Sequence, residues 1–146
     1  MSNYLYLKII TYRDIVQLFK WANDPVVRKN AYHTEPIKYE GHQRWFKEKL
    51  KDKNCKMYIL TDGNKDYGQV RGDFENGKVT IDYSIDSAFR NRGYGKTMLK
   101  LFEKKYSNVL LYAEVKISNT ASQTIFEYLG YQKKILDTHI QYTLKI

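Results

Sequence analysis

The segment Arg90-Asn91-Arg92-Gly93-Tyr94-Gly95-Lys96-Thr97 concentrates the residue types with the most chemical potential in this chain. It follows a run with strand alternation and opens a run with helical spacing. A backbone turning from strand into helix leaves its first N–H groups without partners, at the positive end of the helix dipole. Two glycines let that backbone curl and let an anion approach with no Cβ in the way. Arg90, Arg92 and Lys96 add positive charge at the same point, so the chemistry implied is a pyrophosphate cradle. A glycine-assisted turn under a solvated basic helix is the alternative that an isolated Gly-x-Gly leaves open. The third glycine of a dinucleotide fingerprint is absent. Gly95-Lys96-Thr97 imitates the end of a triphosphate loop, but Arg90 stands where that loop needs its first glycine, so kinase and dehydrogenase readings fall.

Regular elements must hold this segment in place. Tyr4 to Ile10 reads as a strand, and Asp14 to Ala22 as a helix with Ile15, Leu18, Phe19 and Ala22 at helical spacing. Pro25 restarts a short helical piece through Arg28, and Tyr39 to Lys51 is a second amphipathic helix. Three apolar runs follow, Lys56 to Leu60, Tyr67 to Phe74 and Lys78 to Ile85, with Asn76-Gly77 as a hairpin signal between the last two. Lys96 to Lys105 forms a third helix and Val109 to Val115 a buried central strand. Asn119 to Leu129 forms a fourth helix, capped by Ser118 or Asn119 and stopped at Gly130. Tyr131 to Leu136 and His139 to Lys145 are closing strands. The order predicts an α/β (α+β) domain over residues 1–146: a mixed, mostly antiparallel sheet of about seven strands flanked by four helices.

Composition narrows the function. A chain of 146 residues, 42% of them apolar, can bury a core. The lone Cys55 excludes an internal disulfide and pairs with no second metal ligand, which fits a reducing cytoplasm and predicts no metal site. No window approaches 18 apolar residues, and the opening MSNYLYLKIITYRD has no basic, then apolar, leader pattern, so neither a membrane span nor a signal peptide is expected. The net charge of +9 favours anionic partners. Arg90 to Lys105 holds six basic residues and one acid, which is +5 of that total. Such clustering suits a compact anion better than a nucleic-acid backbone, which asks for basic and aromatic side chains interleaved over one face.

Two motifs together carry a family resemblance. Arg90-x-x-Gly93-x-Gly95, after Tyr83-Ser84-Ile85, resembles the acetyl-coenzyme A signature of the GCN5-related N-acetyltransferase (GNAT) superfamily. Ala113 to Ser122, followed by Phe126-Glu127-Tyr128-Leu129-Gly130-Tyr131, is similar to that family's second signature of strand, Asn, helix and Gly-aromatic. The N-terminal half adds Trp21-Ala22-Asn23-Asp24-Pro25-x-x-Arg28, His42-x-x-Trp45-Phe46 and Gly68-Gln69-Val70-Arg71. These resemble small bacterial acetyltransferases acting on nucleotide-linked amino sugars, including those of the pseudaminic acid pathway. Ribosomal-protein N-terminal acetyltransferases share part of the opening pattern.

The resemblance implies direct transfer of the acetyl group of acetyl-CoA to a primary amine, without metal. The N–H groups from Arg92 through Thr97, including those of Tyr94, Gly95 and Lys96, would hold the pyrophosphate, and the strand edge from Tyr83 to Ile85 would pair with the pantetheine arm. Asn119 and Ser122 would contact the arm or the adenosine end, with Phe126 beside them. Asn119 is equally a plain N-cap, and the two roles are compatible. An ammonium with a pKa of about 10.4 must lose a proton before attack. Glu114 sits where some family members carry that base, and Asp82 is the second candidate. A lone acid in the apolar run VLLYAEV is costly to bury unless paired or functional, or else strand phase turns it outward. Many members place a Tyr where this chain has Phe126, so the usual proton donor for the thiolate is missing. His42 and Trp45 would line the acceptor side, although a packed His42 and a core Trp45 are the simpler readings. His33 and His139 show no constellation. The expected partners are a small-molecule amine, a nucleotide sugar first, and no membrane; a homodimer is left open. The rival readings are a protein N-terminal acetyltransferase, a nucleic-acid-binding module, and a coenzyme-binding domain without catalysis.

Overall fold

The hairpin expected at Asn76-Gly77 forms as a two-residue turn, with Glu75 paired to Lys78 and both turn residues at positive φ, 50° and 78°. This geometry matches the twist of the flanking strands. In the computed structural model, which describes residues 4–146, it joins β3 (Asp66–Glu75) to β4 (Lys78–Ile85). The first three residues of the opening segment lie outside the described residues.

The remaining elements follow the expected order. β1 (Tyr6–Ile9) leads to α1 (Ile15–Ala22), α2 (Pro25–Asn30) and α3 (Tyr39–Lys51), then β2 (Cys55–Thr61). After β4 come α4 (Tyr94–Glu103), β5 (Leu110–Lys116), α5 (Thr120–Tyr128), β6 (Gln132–Ile135) and β7 (His139–Lys145). The strands form one seven-stranded sheet in the order β1-β2-β3-β4-β5-β7-β6, in which only the β4–β5 pair is parallel. Five helices flank it rather than four, because the restart at Pro25 is a helix of its own. Asp24 caps it by accepting from the N–H groups of Val26 (2.9 Å) and Val27 (3.3 Å). α4 begins at Tyr94, two residues before the expected start, because Gly93 takes a left-handed conformation and serves as its N-cap.

Strand alternation divides the sheet between two cores. Val79 and Ile81 of β4, and Leu111, Ala113 and Val115 of β5, face Met98, Leu99 and Phe102 of α4 and Phe126 of α5. On the opposite face, Cys55, Met57 and Ile59 of β2 pack with Ile15, Leu18 and Trp21 of α1 and Phe46 of α3. Each fully buried aliphatic or aromatic side chain stabilises the fold by roughly 1.5–3 kcal/mol, so these two clusters hold the sheet rigid beneath the site. Trp45 is not in either cluster. It is 36% exposed, because it falls on the flank of α3 beside the buried stripe of His42 and Phe46.

Candidate active site

β4 and β5 stay together only from Lys78–Leu110 to Thr80–Tyr112. Beyond that point β4 pairs only with β3 and β5 only with β7. The two parallel strands therefore splay, and the β4 edge from Ile81 to Ile85 keeps unpaired backbone polar groups, which demand partners. A cleft of about 1010 Å³ runs through the splay, walled by α1 to α3 on one side and by the starts of α4 and α5 on the other.

The coenzyme loop closes one end of this cleft. The first intrahelical bond of α4 runs from the Thr97 N–H to the Gly93 carbonyl (3.2 Å), so the N–H groups of Tyr94, Gly95 and Lys96 precede it and have no helical acceptor. The Thr97 N–H, expected to join this group, is committed to the helix. The two glycines have separate jobs. Gly93 has φ of 85° and open space around it, whereas a Cβ on Gly95 would lie 2.8 Å from Ile125 Cδ1 of α5. Gly93 thus allows the turn, and Gly95 lets α4 approach α5. Lys96 holds its ammonium 4.1 Å from the centre of the Tyr128 ring, and Arg92 is exposed.

The Arg90 guanidinium is engaged within the protein. Its Nε donates to the Ile85 carbonyl (3.1 Å) and its Nη2 pairs with Asp24 at 2.9 Å. Burial pushes the Asp24 carboxyl up, but the Arg90 hydrogen bond and the capping N–H groups outweigh it and hold the carboxyl below its ordinary value. The whole Trp21 to Arg28 motif is a set of fastenings of this kind. Trp21 Nε1 donates to Asp86 (2.8 Å), Asn23 exchanges two hydrogen bonds with the backbone of Ile37, and Arg28 donates to the carbonyls of Ala22 (2.7 Å) and His33 (2.8 Å). The Trp21 and Asp24 contacts tie the α1–α2 corner to the segment between β4 and α4, and those of Asn23 and Arg28 tie it to residues 33–37.

The far wall carries the second motif. Asn119 caps α5 by accepting from the Ser122 N–H (3.2 Å). The Ser122 hydroxyl lies 2.7 Å from Tyr83 Oη, and burial pushes the Tyr83 phenol up to about 12. Phe126 is 1% exposed, with the Tyr83 ring edge-on at 5.9 Å. Ile85 packs against the main core and lines the cleft.

Both candidate bases sit at the splay. Asp82 and Glu114 each follow the last β4–β5 pair, Thr80–Tyr112, by two residues, so both turn to the face opposite α4 and α5. The outward phase of Glu114 and its place in the cleft therefore coincide. Asp82 accepts from Gln69 Nε2 (3.2 Å), and Arg71 lies 3.9 Å away. Glu114 accepts from the hydroxyls of Tyr32 and Tyr112, the latter at 2.7 Å, and His139 Nε2 lies 3.5 Å from it. His139, read from sequence as isolated, belongs to this cluster. No local pattern could reveal it, since β7 meets β5 only in the folded sheet. His42 is buried and bonded through Nε2 to the Ile15 carbonyl (3.2 Å); burial holds its imidazole below the ordinary value, partly opposed by that bond. Trp45 and the Arg71 guanidinium, 5.2 Å from the ring centre, line the cleft on the same side as His42.

The match to known proteins decides the family: residues 5–132 match the acetyltransferase (GNAT) domain. The chain belongs to the GNAT acetyltransferase family. Its solved relatives in fold include a domain from Methanocaldococcus jannaschii, at 23% identity and a TM-score of 0.85 over 99% of this chain and 100% of that one. A ribosomal-protein α-N-acetyltransferase in complex with coenzyme A follows at 14% identity and 0.86, over 99% and 96%. The spermidine N-acetyltransferase of Vibrio cholerae, with coenzyme A and spermine, is similar at 12% and 0.84, over 97% and 95%. No curated protein sequence matches the chain. As a GNAT domain it is an acetyl-CoA-dependent N-acetyltransferase. The splayed β4 edge, the free N–H groups of Tyr94 to Lys96 and the open backbone at Gly93 fit that coenzyme. No group of metal-ligating side chains occurs among the described residues, and no helix there is long and apolar enough to cross a membrane.

Proposed function

We propose that this GNAT enzyme acetylates the primary amine of an amino sugar carried on a nucleotide, in the cytoplasm, with Glu114 as the base. The observation that carries the reading is the makeup of the cleft floor and walls. Planar hydrogen-bonding groups, Gln69, Asp82 and Glu114, lie on one sheet face and line the cleft together with the aromatic side chains of Trp45 and Tyr32. Carboxylates and amides bind sugar hydroxyls in their planes, while aromatic rings cover the C–H face of a sugar. The net charge of +9 suits a nucleotide diphosphate.

Bound acetyl-CoA supplies an activated thioester. The chain's residues hold the amine, move its protons and shield the reaction. Glu114 and Asp82 attract the ammonium, and Glu114 takes a proton so that the nitrogen lone pair is free. Backbone N–H groups on the free β4 edge face the developing oxyanion. As the C–N bond forms and the C–S bond breaks, the sulfur needs a proton that Phe126 cannot give; the Tyr83–Ser122 hydroxyl pair supplies it. Two protons leave the nitrogen in all, one ending on the thiol and one in solvent.

An acceptor panel tests the proposal: UDP-linked amino sugars, free amino sugars, polyamines and N-terminal peptides, with thiol release as the readout. A UDP-amino sugar should exceed every other class in kcat/KM by about tenfold or more, a difference of about 1.4 kcal/mol in transition-state binding. A peptide or polyamine in first place would overturn it.

A further inference from the structure

Glu114 has company that an exposed strand carboxylate does not need. Three residues from separate parts of the chain converge on it: Tyr32 from the segment after α2, Tyr112 from its own strand, and His139 from β7. The sheet register makes this convergence inevitable. His139 pairs with Lys116 and Gln141 with Glu114, so His139 lies diagonally across from Glu114 on the same face. Further bonds fix the arrangement. Gln141 Nε2 donates to Tyr112 Oη (2.9 Å), and Lys116 Nζ donates to the Lys29 carbonyl (3.0 Å), holding the end of α2 over β5. The Tyr32 ring stands edge-on to the His139 ring at 6.5 Å. His139 Nδ1 lies 3.1 Å from the Thr138 hydroxyl, outside the cluster, and the His139 side chain is 20% exposed.

We propose that His139 is the exit for the acceptor's proton: Glu114 takes it from the amine and passes it through Nε2 of His139 to solvent, while Tyr32 and Tyr112 keep the carboxylate aimed. The proposal rests on Glu114 being the base. The proton balance requires such an exit, because each turnover converts an ammonium and a thioester into an amide, a thiol and one free proton. Glu114 alone would hold that proton between the cleft and two tyrosine hydroxyls. The His139 imidazole beside it accepts the proton at Nε2, and rotation or exchange at the solvent side releases it. His139 acts through Glu114 and touches no reacting atom, so it is a positioning and relay residue. The charged and titratable groups around it are Glu114, Lys116, Tyr32, Tyr112 and, two residues before it, Asp137.

The test compares wild type with His139→Gln and His139→Ala, using the best acceptor from the panel above. His139→Gln should lower kcat by about 100-fold, the low end of the range of general acid–base assistance, with the KM for acetyl-CoA unchanged. Added imidazole should raise the rate of His139→Ala. A His139→Gln kcat within about threefold of wild type, or a His139→Ala rate that imidazole leaves unchanged, would overturn the relay. So would a loss of rate matched by a loss of coenzyme affinity or thermal stability, which would mark a purely structural residue. If Glu114→Gln retains full activity, the reading of Glu114 as base fails, and that result is separate from any effect at His139.

Discussion

Gly93 and Gly95 stand two residues apart, yet the structure assigns them different physical roles, and replacing each by alanine separates them. Gly93 has φ of 85° with nothing within 4 Å of a built Cβ, so Gly93→Ala meets no clash and only backbone strain. A single non-glycine residue in the left-handed region costs roughly 1–2 kcal/mol. At about 3 °C per kcal/mol for a domain of this size, the melting temperature should fall by about 3–6 °C. Gly93→Asn should lose about half as much, since asparagine tolerates this region best after glycine. The chain already uses it at Asn76, Asn91 and Asn108, with φ of 50°, 63° and 59°. Gly95→Ala behaves in the opposite way. It gains about 1 kcal/mol of helix propensity. Its Cβ, 2.8 Å from Ile125 Cδ1, displaces only a terminal methyl. The propensity gain and the cost of moving that methyl oppose each other, so stability should change by less than about 1 kcal/mol. The displaced methyl narrows the α4–α5 gap beside Tyr83, so coenzyme affinity should fall by about tenfold, or 1.4 kcal/mol. Thermal denaturation and calorimetric titration of coenzyme A read both quantities. A Gly93→Ala variant as stable as wild type, or a Gly95→Ala variant that binds normally, refutes the division of roles.

Other consequences follow from the surrounding contacts. Arg90→Met removes a part-buried charged hydrogen bond and should cost about 1.5–3 kcal/mol at neutral pH. The folded carboxyl of Asp24 is held below its unfolded value of about 3.9, so this contribution is present above pH 4 and lost as pH falls through the folded value. The difference between wild type and Arg90→Met in urea denaturation should therefore shrink in acid; a constant difference from pH 7 to pH 2 would refute the pairing. Tyr83→Phe should lower kcat by about tenfold or more while leaving the amine's KM in place. An acetyl thioester of a more acidic thiol should restore the rate, and equal loss with both donors would remove Tyr83 from the sulfur's proton supply. Cys55 is buried, and its thiol is pushed up to about 11, first by burial and then by Asp73. It should resist alkylation in the native protein at pH 8 and react on unfolding; rapid native alkylation would contradict its place in the core.

Local chemistry made the coenzyme end legible from sequence. Gly-x-Gly after an alternating run specifies a strand-to-helix turn, Asn119 specifies a cap, and Asn76-Gly77 specifies a hairpin, because each depends on residues adjacent in the chain. The acceptor end depends on register. Glu114 and His139 are 25 residues apart and meet only because β7 inserts beside β5, and Tyr32 reaches them across the sheet. Periodicity places a residue on a face but does not say which strand lies next to it. Arg90 shows the converse: its motif marks it as a phosphate ligand, while the fold turns its guanidinium to Asp24 and Ile85. For Trp45 the sequence leaves the acceptor side and the core both open, because helical spacing does not separate the centre of a buried stripe from its flank.

Acetyl-CoA bound in the β4–β5 splay, with its pyrophosphate on the start of α4, would perturb the backbone amides that line those two places. Backbone amide NMR of the labelled protein during titration with acetyl-CoA tests it most directly. The largest shifts are expected at Tyr94, Gly95 and Lys96 and along Ile81 to Ile85, with Arg90 moving less than these. Saturable binding that leaves those amides unmoved and shifts another surface would contradict it.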